Sequence, residues 1–146
     1  MPVSQLNGIQ IDAPSLAENL PLRNTKDYED YISRMKQFPK IIDQTWELLQ
    51  MGLDRKVTPP KITLRDVAEQ IKAQITESAE KSPFFKPFLQ FVSGISQADQ
   101  QRLKTEAKQV VETQIVPAYK KLYDVWTQKY YPNTRDTIAI SSFPDG

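Results

Sequence analysis

The chain has 146 residues, of which 39% are hydrophobic and 25% are charged, and this length suits one ordinary domain with a single core. Its 19 Lys and Arg residues against 18 Asp and Glu residues give a net charge of +1, which argues against a nucleic-acid-binding protein because such proteins carry a basic field. The sequence has no long uncharged apolar run, so it predicts no membrane span.

Histidine and cysteine are both absent from the sequence. Zinc sites draw mainly on these two residues, and Ser-His-Asp triads, His general bases and Cys nucleophiles each require one of them. The carboxylates that remain, such as Glu69, Glu106 and Glu112, have spacings typical of solvated helix faces. We therefore expect no catalytic residue, no metal ligand and no cofactor site in this chain alone.

Residues 1–22 are predicted to form an irregular or extended arm. The segment Ile9-Gln10-Ile11 alternates as a short strand does. Pro14 and Pro21 then interrupt any helix that starts early. Such a leader is more often a packed arm than a functional loop.

Two helices follow the arm. The first is predicted over about 26–38, with Asn24 or Thr25 as its cap and acidic residues near its N-terminus, where the helix dipole favours negative charge. This explanation of the acidic cluster needs no bound metal. Pro39 suits the first turn of the second helix, which the Pro59-Pro60 pair ends.

A third helix is predicted to open at Thr63, with Asp66 completing a variant of the capping box. The stretch 82–88 then follows, and its two prolines and three phenylalanines predict a short helical turn or a rigid aromatic loop. It is either a plug over one end of the core or a binding surface, since exposed aromatic clusters mark interfaces. The phenylalanines concerned are Phe84, Phe85 and Phe88.

The longest helix is predicted from Ser96 to about Tyr130. Pro117 removes one hydrogen bond and its ring clashes with the carbonyl of Thr113, which predicts a kink there. A neighbouring aromatic strip, which either lines a groove or simply packs, consists of Tyr119, Tyr123 and Tyr130.

The predicted fold is all-α. It is an irregular bundle of about four main helices over residues 23–131, with the long kinked C-terminal helix as its spine. Extended terminal arms flank the bundle, and residues 132–146 form a polar C-terminal tail that contains a strand fragment at Ile138-Ala139-Ile140. The residues predicted for the core are Tyr31, Ile32, Met35, Trp46, Leu49, Leu53, Val67, Ile71, Phe88, Val111, Leu122 and Trp126.

Several short stretches, in an order that covers nearly the whole chain, resemble the bacterial family called domain of unknown function 885. Each stretch alone is weak, and the ordered set is fairly specific. They are Gln5-Leu6-Asn7-Gly8-Ile9-Gln10-Ile11, Lys26-Asp27-Tyr28-Glu29-Asp30-Tyr31, Thr58-Pro59-Pro60, residues 80–88, Ile115-Val116-Pro117-Ala118-Tyr119, Tyr131-Pro132, and Arg135-Asp136-Thr137 through Pro144-Asp145-Gly146.

The resemblance implies that the chain is an N-terminal-side piece of a longer protein. Members of this family look like mostly helical, zincin-like metallopeptidases, with a zinc motif well downstream of this segment. Many carry an export or lipoprotein signal ahead of it, which implies a periplasmic or lipoprotein location. Because neither part occurs here, no catalytic or metal residue is carried over, and zinc is implied only for the full-length parent. The polar run around Arg135 and Asp136 is then expected to neighbour the full-length active site.

The favoured hypothesis is a non-catalytic helical subdomain that walls or supports the substrate cleft of a larger metallopeptidase-like protein. Its partners are then the remainder of its own chain and, in the parent, a peptide substrate. The alternative is a helical protein- or peptide-interaction module that uses the exposed phenylalanines and the tyrosine strip. A freestanding enzyme is the weakest hypothesis. Self-association through an apolar face meant for the remainder, or through residues 137–143, is also expected.

Overall fold

The computed structural model describes Val3 and residues 8–136. Over this part of the chain the α-helices are α1 (Ile9–Glu18), α2 (Thr25–Met35), α3 (Phe38–Asp54), α4 (Val67–Lys72), α5 (Gln97–Val110) and α6 (Val116–Val125). Short 3-10 helices occur at Lys61–Leu64, Ala79–Lys81, Lys86–Phe88 and Tyr131–Asn133, and π-helical turns at Val111–Ile115 and Trp126–Tyr130. The all-α prediction is confirmed. The predicted strand fragment at 138–140 lies outside the described residues.

The cap and the inner face of α2 follow the sequence prediction. The side chain of Asn24 accepts a hydrogen bond from the N–H of Asp27 at 2.9 Å, which satisfies one of the free donors at the start of the helix. Spacings of three and four residues place its buried side chains on one stripe. The helix ends at Met35, three residues earlier than predicted, because Phe38 already belongs to α3. The buried stripe consists of Tyr28, Tyr31, Ile32 and Met35.

A Schellman turn ends α3 before the Pro59-Pro60 pair is reached. The N–H of Lys56 donates to the Leu53 carbonyl at 3.0 Å, and that of Val57 donates to the Gly52 carbonyl at 2.8 Å. Lys56 takes the left-handed conformation, with φ of 59°, that glycine usually supplies at this position. A Cβ atom on Gly52 would lie 3.0 Å from the carbonyl oxygen of Val57, so the close return of the chain favours glycine there.

The long C-terminal helix is confirmed and runs through α5 and α6. Two π-helical turns interrupt it, and each ends two residues before a proline. The N–H of Val116 donates to Val111 just before Pro117, and the N–H of Tyr131 donates to Trp126 just before Pro132. A turn that bonds five residues back widens the helix where a proline ring would otherwise clash with the preceding carbonyl. The predicted bend at Pro117 therefore has a π-helical turn as its local form.

The prediction of an extended N-terminal arm is wrong for Ile9–Glu18, which forms α1, and so is the strand predicted within it. Pro14 lies inside this helix. Tertiary hydrogen bonds hold the helix in place: the hydroxyl of Tyr119 donates to the carbonyl of its first residue at 3.2 Å, and the Gln10 amide donates to the Gln70 side chain at 3.1 Å. These contacts, together with packing on α4, outweigh the local preference against a helix.

The third predicted helix is wrong at its start. Lys61–Leu64 forms a 3-10 turn, and α4 begins only at Val67. The hydroxyl of Thr63 donates to the Pro60 carbonyl at 2.8 Å instead of capping a helix. Asp66 precedes α4, but its side chain makes no capping hydrogen bond. The hydroxyl is already committed to the preceding turn, so the capping box does not form.

The long helix is the spine of the bundle, as predicted. It carries α2 on its α5 half, and α3 and α4 on its α6 half. All of the residues predicted for the core are buried except Trp46 and Leu53, which are partly buried against it. The large side chains that are fully buried include Trp126, Tyr119, Phe85 and Phe88, so the interior is rich in aromatic rings.

Candidate functional site

The phenylalanines of the 84–88 stretch lie in the core. Phe84 is 5% exposed, and Phe85 and Phe88 are 0% exposed. The ring of Phe88 lies 5.7 Å from those of both Tyr28 and Tyr31, distances at which aromatic rings attract each other. The prediction that these phenylalanines form an exposed binding surface is therefore wrong. The stretch instead packs in the core, in agreement with the alternative prediction of an aromatic plug.

The tyrosine strip also packs rather than lining an open groove. Tyr119 and Tyr130 are buried, and Tyr123 is half-buried. Burial raises the pKa of the Tyr119 hydroxyl well above its ordinary value and raises the pKa of Tyr130 to about 12. These two hydroxyls therefore stay protonated near neutral pH. They can donate hydrogen bonds but cannot act as general bases.

Tyr31 shows what these buried hydroxyls do. Its hydroxyl donates to the carbonyl of Phe84 at 2.8 Å and so fixes the plug to α2. Burial raises the pKa of Tyr31, which keeps this donor protonated. Burying a hydroxyl that has a good acceptor costs little free energy, so the Tyr31 hydroxyl stabilises the fold.

One apolar groove opens beside this plug and has a volume of about 410 Å³. Phe84 lines it, and the other predicted site residues do not. Arg34 lies at the groove, is exposed, and has no ion-pair partner among the described residues. Sequence reasoning missed this groove because one wall belongs to α1, which was expected to be extended. The lining residues are Ile9, Asp12, Ala13, Leu20, Tyr31, Arg34, Met35, Gln37, Phe38, Ile41 and Phe84.

The second predicted site, Arg135, lies at a junction with the segment that follows α3. The buried hydroxyl of Thr58 accepts the backbone N–H of Arg135 at 3.1 Å, and the Thr58 carbonyl accepts its Nε–H at 2.7 Å. The carbonyl of Arg135 in turn accepts the N–H of Lys61 at 2.8 Å. The end of the long helix is thereby fastened to the segment at Thr58–Lys61, which we call the junction.

Charged groups complete the junction. The Nζ of Lys61 lies 3.1 Å from the carboxylate of Asp136 and 5.9 Å from the centre of the Tyr131 ring. The Asp136 side chain is 85% exposed, so this ion pair contributes at most about 1 kcal/mol to stability. The junction therefore orients the backbone at Arg135 and Asp136. The Asp136 carboxylate is solvated and forms an ion pair with Lys61.

Within residues 8–136 and Val3, no group of three or more acidic side chains is arranged to hold a metal ion. In that same part of the chain, no helix has the length and apolar character needed to cross a bilayer.

The fold and these contacts define an all-α domain built on one long bent helix, with an aromatic core and a hydrogen-bonded junction at the end of that helix. A family model of bacterial proteins of unknown function, DUF885, matches residues 1–146. The chain belongs to the DUF885 family, as the ordered stretches in its sequence indicated.

A solved structure is similar to the whole domain. It is that of a protein from Colwellia psychrerythraea, provisionally described as a lipoprotein, with 28% sequence identity and a TM-score of 0.88. The alignment covers 98% of this chain and 25% of that protein, so the chain spans about a quarter of the length of its structural relative. No curated protein matches the chain significantly.

Proposed function

We propose that this chain is the non-catalytic helical part of a longer DUF885 protein, in which it walls or supports the substrate cleft of a zinc-metallopeptidase-like centre. The observation that carries the proposal is that the same fold makes up 25% of a longer protein. The family resemblance supports the second part, because members of the family look like zincin-like peptidases whose zinc motif follows this region. Zinc and the peptide substrate then belong to the rest of the longer polypeptide.

The junction suits a supporting role. The two hydrogen bonds that Arg135 donates to Thr58 fix the direction of the backbone at the end of the long helix. A domain that supports a neighbouring centre has to hold such a connection within a fraction of an ångström. We infer that Arg135 and Asp136 lie close to the active centre of the full-length protein and position it without touching the reacting atoms.

The proposed location is outside the cytoplasm. The structural relative is provisionally described as a lipoprotein, and the family resemblance implies an export signal in many members. A fusion of a longer family member, with its own N-terminus, to a reporter that is active only in the periplasm tests this. Reporter activity supports export, and a reporter that stays inactive contradicts it.

The function is tested by removing this domain from a longer family member that cleaves short peptides. We expect the shortened protein to keep its zinc and its helical circular dichroism. The value of kcat/KM is expected to fall at least about tenfold, with an altered preference for peptide length. Adding the isolated chain should restore part of the rate. An unchanged rate and unchanged peptide choice would contradict the cleft-wall role, and an intact protein that cleaves no peptide would contradict the peptidase-like part.

The second candidate function is a peptide-interaction module, and the apolar groove beside Phe84 is the observation that favours it. An apolar peptide side chain fits such a groove, with a carboxylate near Arg34. Fluorescence polarisation with labelled peptides that end in an apolar residue measures this directly. Binding that Arg34→Glu weakens at least tenfold supports the module, and binding that is absent or insensitive to Arg34→Glu contradicts it.

A further inference from the structure

Helix α3 has two apolar faces. Its inner face packs on the long helix, as expected for a helix of the bundle. Its outer face exposes Ile41, Leu48 and Met51 by 40%, 54% and 43%. A helix that is apolar on two sides is typically packed between two layers. The inner face consists of Phe38, Ile42, Thr45 and Leu49.

The outer residues have the spacing of a helix-pairing seam. Ile41, Leu48 and Met51 occupy three of the positions 41, 44, 48 and 51, which alternate steps of three and four residues as the a/d positions of a helix packed along one partner do; the remaining position is the polar Gln44. The apolar residues at 41, 48 and 51 cover about 15 Å of helix length at 1.5 Å per residue. Ile41 also lines the apolar groove, so the seam and the groove share a wall. We call Ile41, Gln44, Leu48 and Met51 the outer seam.

We propose that the outer seam of α3 is the docking surface for one helix from the rest of a longer DUF885 polypeptide. This inference rests on the proposed function, since it takes the chain to be part of such a polypeptide. The structural relative supports that premise, because the aligned region is only 25% of its length and the other three quarters lies outside it.

The size of the seam favours an attached helix over a second copy of the chain. Its three half-exposed side chains offer apolar surface on the order of 200–300 Å², whereas a stable complex of separate proteins buries about 800 Å² on each partner. A helix in the same polypeptide has a high effective concentration and needs much less contact area. The seam is therefore sufficient for an intramolecular contact and too small to hold a dimer alone, so for this face the proposal replaces the self-association expected from the sequence.

The junction lies close to the C-terminal end of α3. Thr58 lies four residues beyond Asp54, the last residue of α3, and it holds the backbone of Arg135. The ten residues after Asp136, and any polypeptide beyond them, therefore continue from a point near the C-terminal end of α3. Those ten residues can span at most about 33–36 Å, so a helix beyond them can reach the outer seam.

The test compares two double variants in a longer DUF885 polypeptide that carries this chain. Leu48→Glu with Met51→Glu places charge on the outer seam. Leu89→Glu with Val92→Glu makes the same change at residues of similar exposure, 53% and 37%, in the segment between Phe88 and α5. We expect the seam variant to be cleaved by a protease between the domains at least tenfold faster than the wild type, and the control variant to match the wild type. Equal cleavage of both variants would overturn the proposal.

A second measurement uses the isolated chain. Sedimentation should show a monomer for the wild type and for both double variants, with circular dichroism and melting temperature unchanged because the altered residues are exposed. A wild-type dimer that the seam variant alone dissociates would show that a second copy occupies the seam, and this would also overturn the proposal. Neither measurement involves peptide cleavage, so docking without peptidase activity would refute only the proposed function.

Discussion

Replacing Phe88 with alanine tests whether the 84–88 stretch is part of the core. Phe88 is 0% exposed, and its ring contacts Tyr28 and Tyr31 at 5.7 Å, Phe85 at 5.8 Å and Phe91 at 6.0 Å. Truncation removes those contacts and leaves a cavity that a rigid aromatic cluster fills poorly. The expected loss in the free energy of unfolding is about 3–5 kcal/mol. Since small domains are stable by only about 5–15 kcal/mol, this is a large fraction of the total.

The assay is urea unfolding followed by tryptophan fluorescence and circular dichroism. Leu89→Ala is the matched control, because Leu89 is the next residue and is 53% exposed. Leu89→Ala should change the free energy of unfolding by no more than about 0.5 kcal/mol. Phe88→Leu fills part of the cavity, so its loss in the free energy of unfolding should be less than half that of Phe88→Ala. If Phe88→Ala does not fold, Phe88→Leu still gives a measurable value. A Phe88→Ala loss below about 1 kcal/mol, or one equal to that of Leu89→Ala, would refute the plug interpretation.

Three further substitutions test the helix ends, the junction and the buried hydroxyls. Lys56→Gly should raise the free energy of unfolding by about 0.5–1 kcal/mol because glycine adopts φ of 59° without strain, and a thermal melt that falls instead would contradict this. Thr58→Val should lower it by about 1 kcal/mol because the N–H of Arg135 loses its acceptor, whereas the exposed Thr63→Val should change it little. Tyr130→Phe should make the free energy of unfolding fall less steeply with pH between about 10 and 12. The folded pKa of about 12 exceeds the unfolded value near 10, so between these values only the unfolded chain releases the proton, and this group raises the unfolding constant about tenfold per pH unit. Equal slopes for wild type and variant over that range would contradict the assignment.

The helices with strong local signals were predictable from the sequence. Asn24 and Ser96 are side-chain caps in the structure, and the N–H groups of Asp27 and Asp99 donate to them. Both helices bury stripes spaced by three and four residues, so local preference and packing agree. Helix α1 was not predictable in this way. Pro14 opposes it locally, and the contacts that hold it come from residues far along the chain, such as Tyr119.

The candidate site was only partly predictable, because composition does not distinguish a buried aromatic cluster from an exposed one. Phe84, Phe85 and Phe88 have the same sequence signature in either case, and only the packing of α2 against them decides it. The junction had no local signal. Thr58 and Arg135 are 77 residues apart, and nothing in either stretch indicates the other. The outer seam of α3 was visible in the sequence as a widening of the apolar face of that helix. Whether its side chains are exposed depends on which side of α3 packs on the long helix.

The most direct test of the central claim measures zinc and peptide cleavage in the isolated chain and in a longer family member. The account predicts that the purified 146-residue chain retains no stoichiometric zinc after dialysis and cleaves no peptide. The longer protein should hold zinc in stoichiometric amount and cleave short peptides. An isolated chain that cleaves a peptide, or that retains zinc at equal molar amount, would contradict the claim that this domain supports a catalytic centre without supplying one.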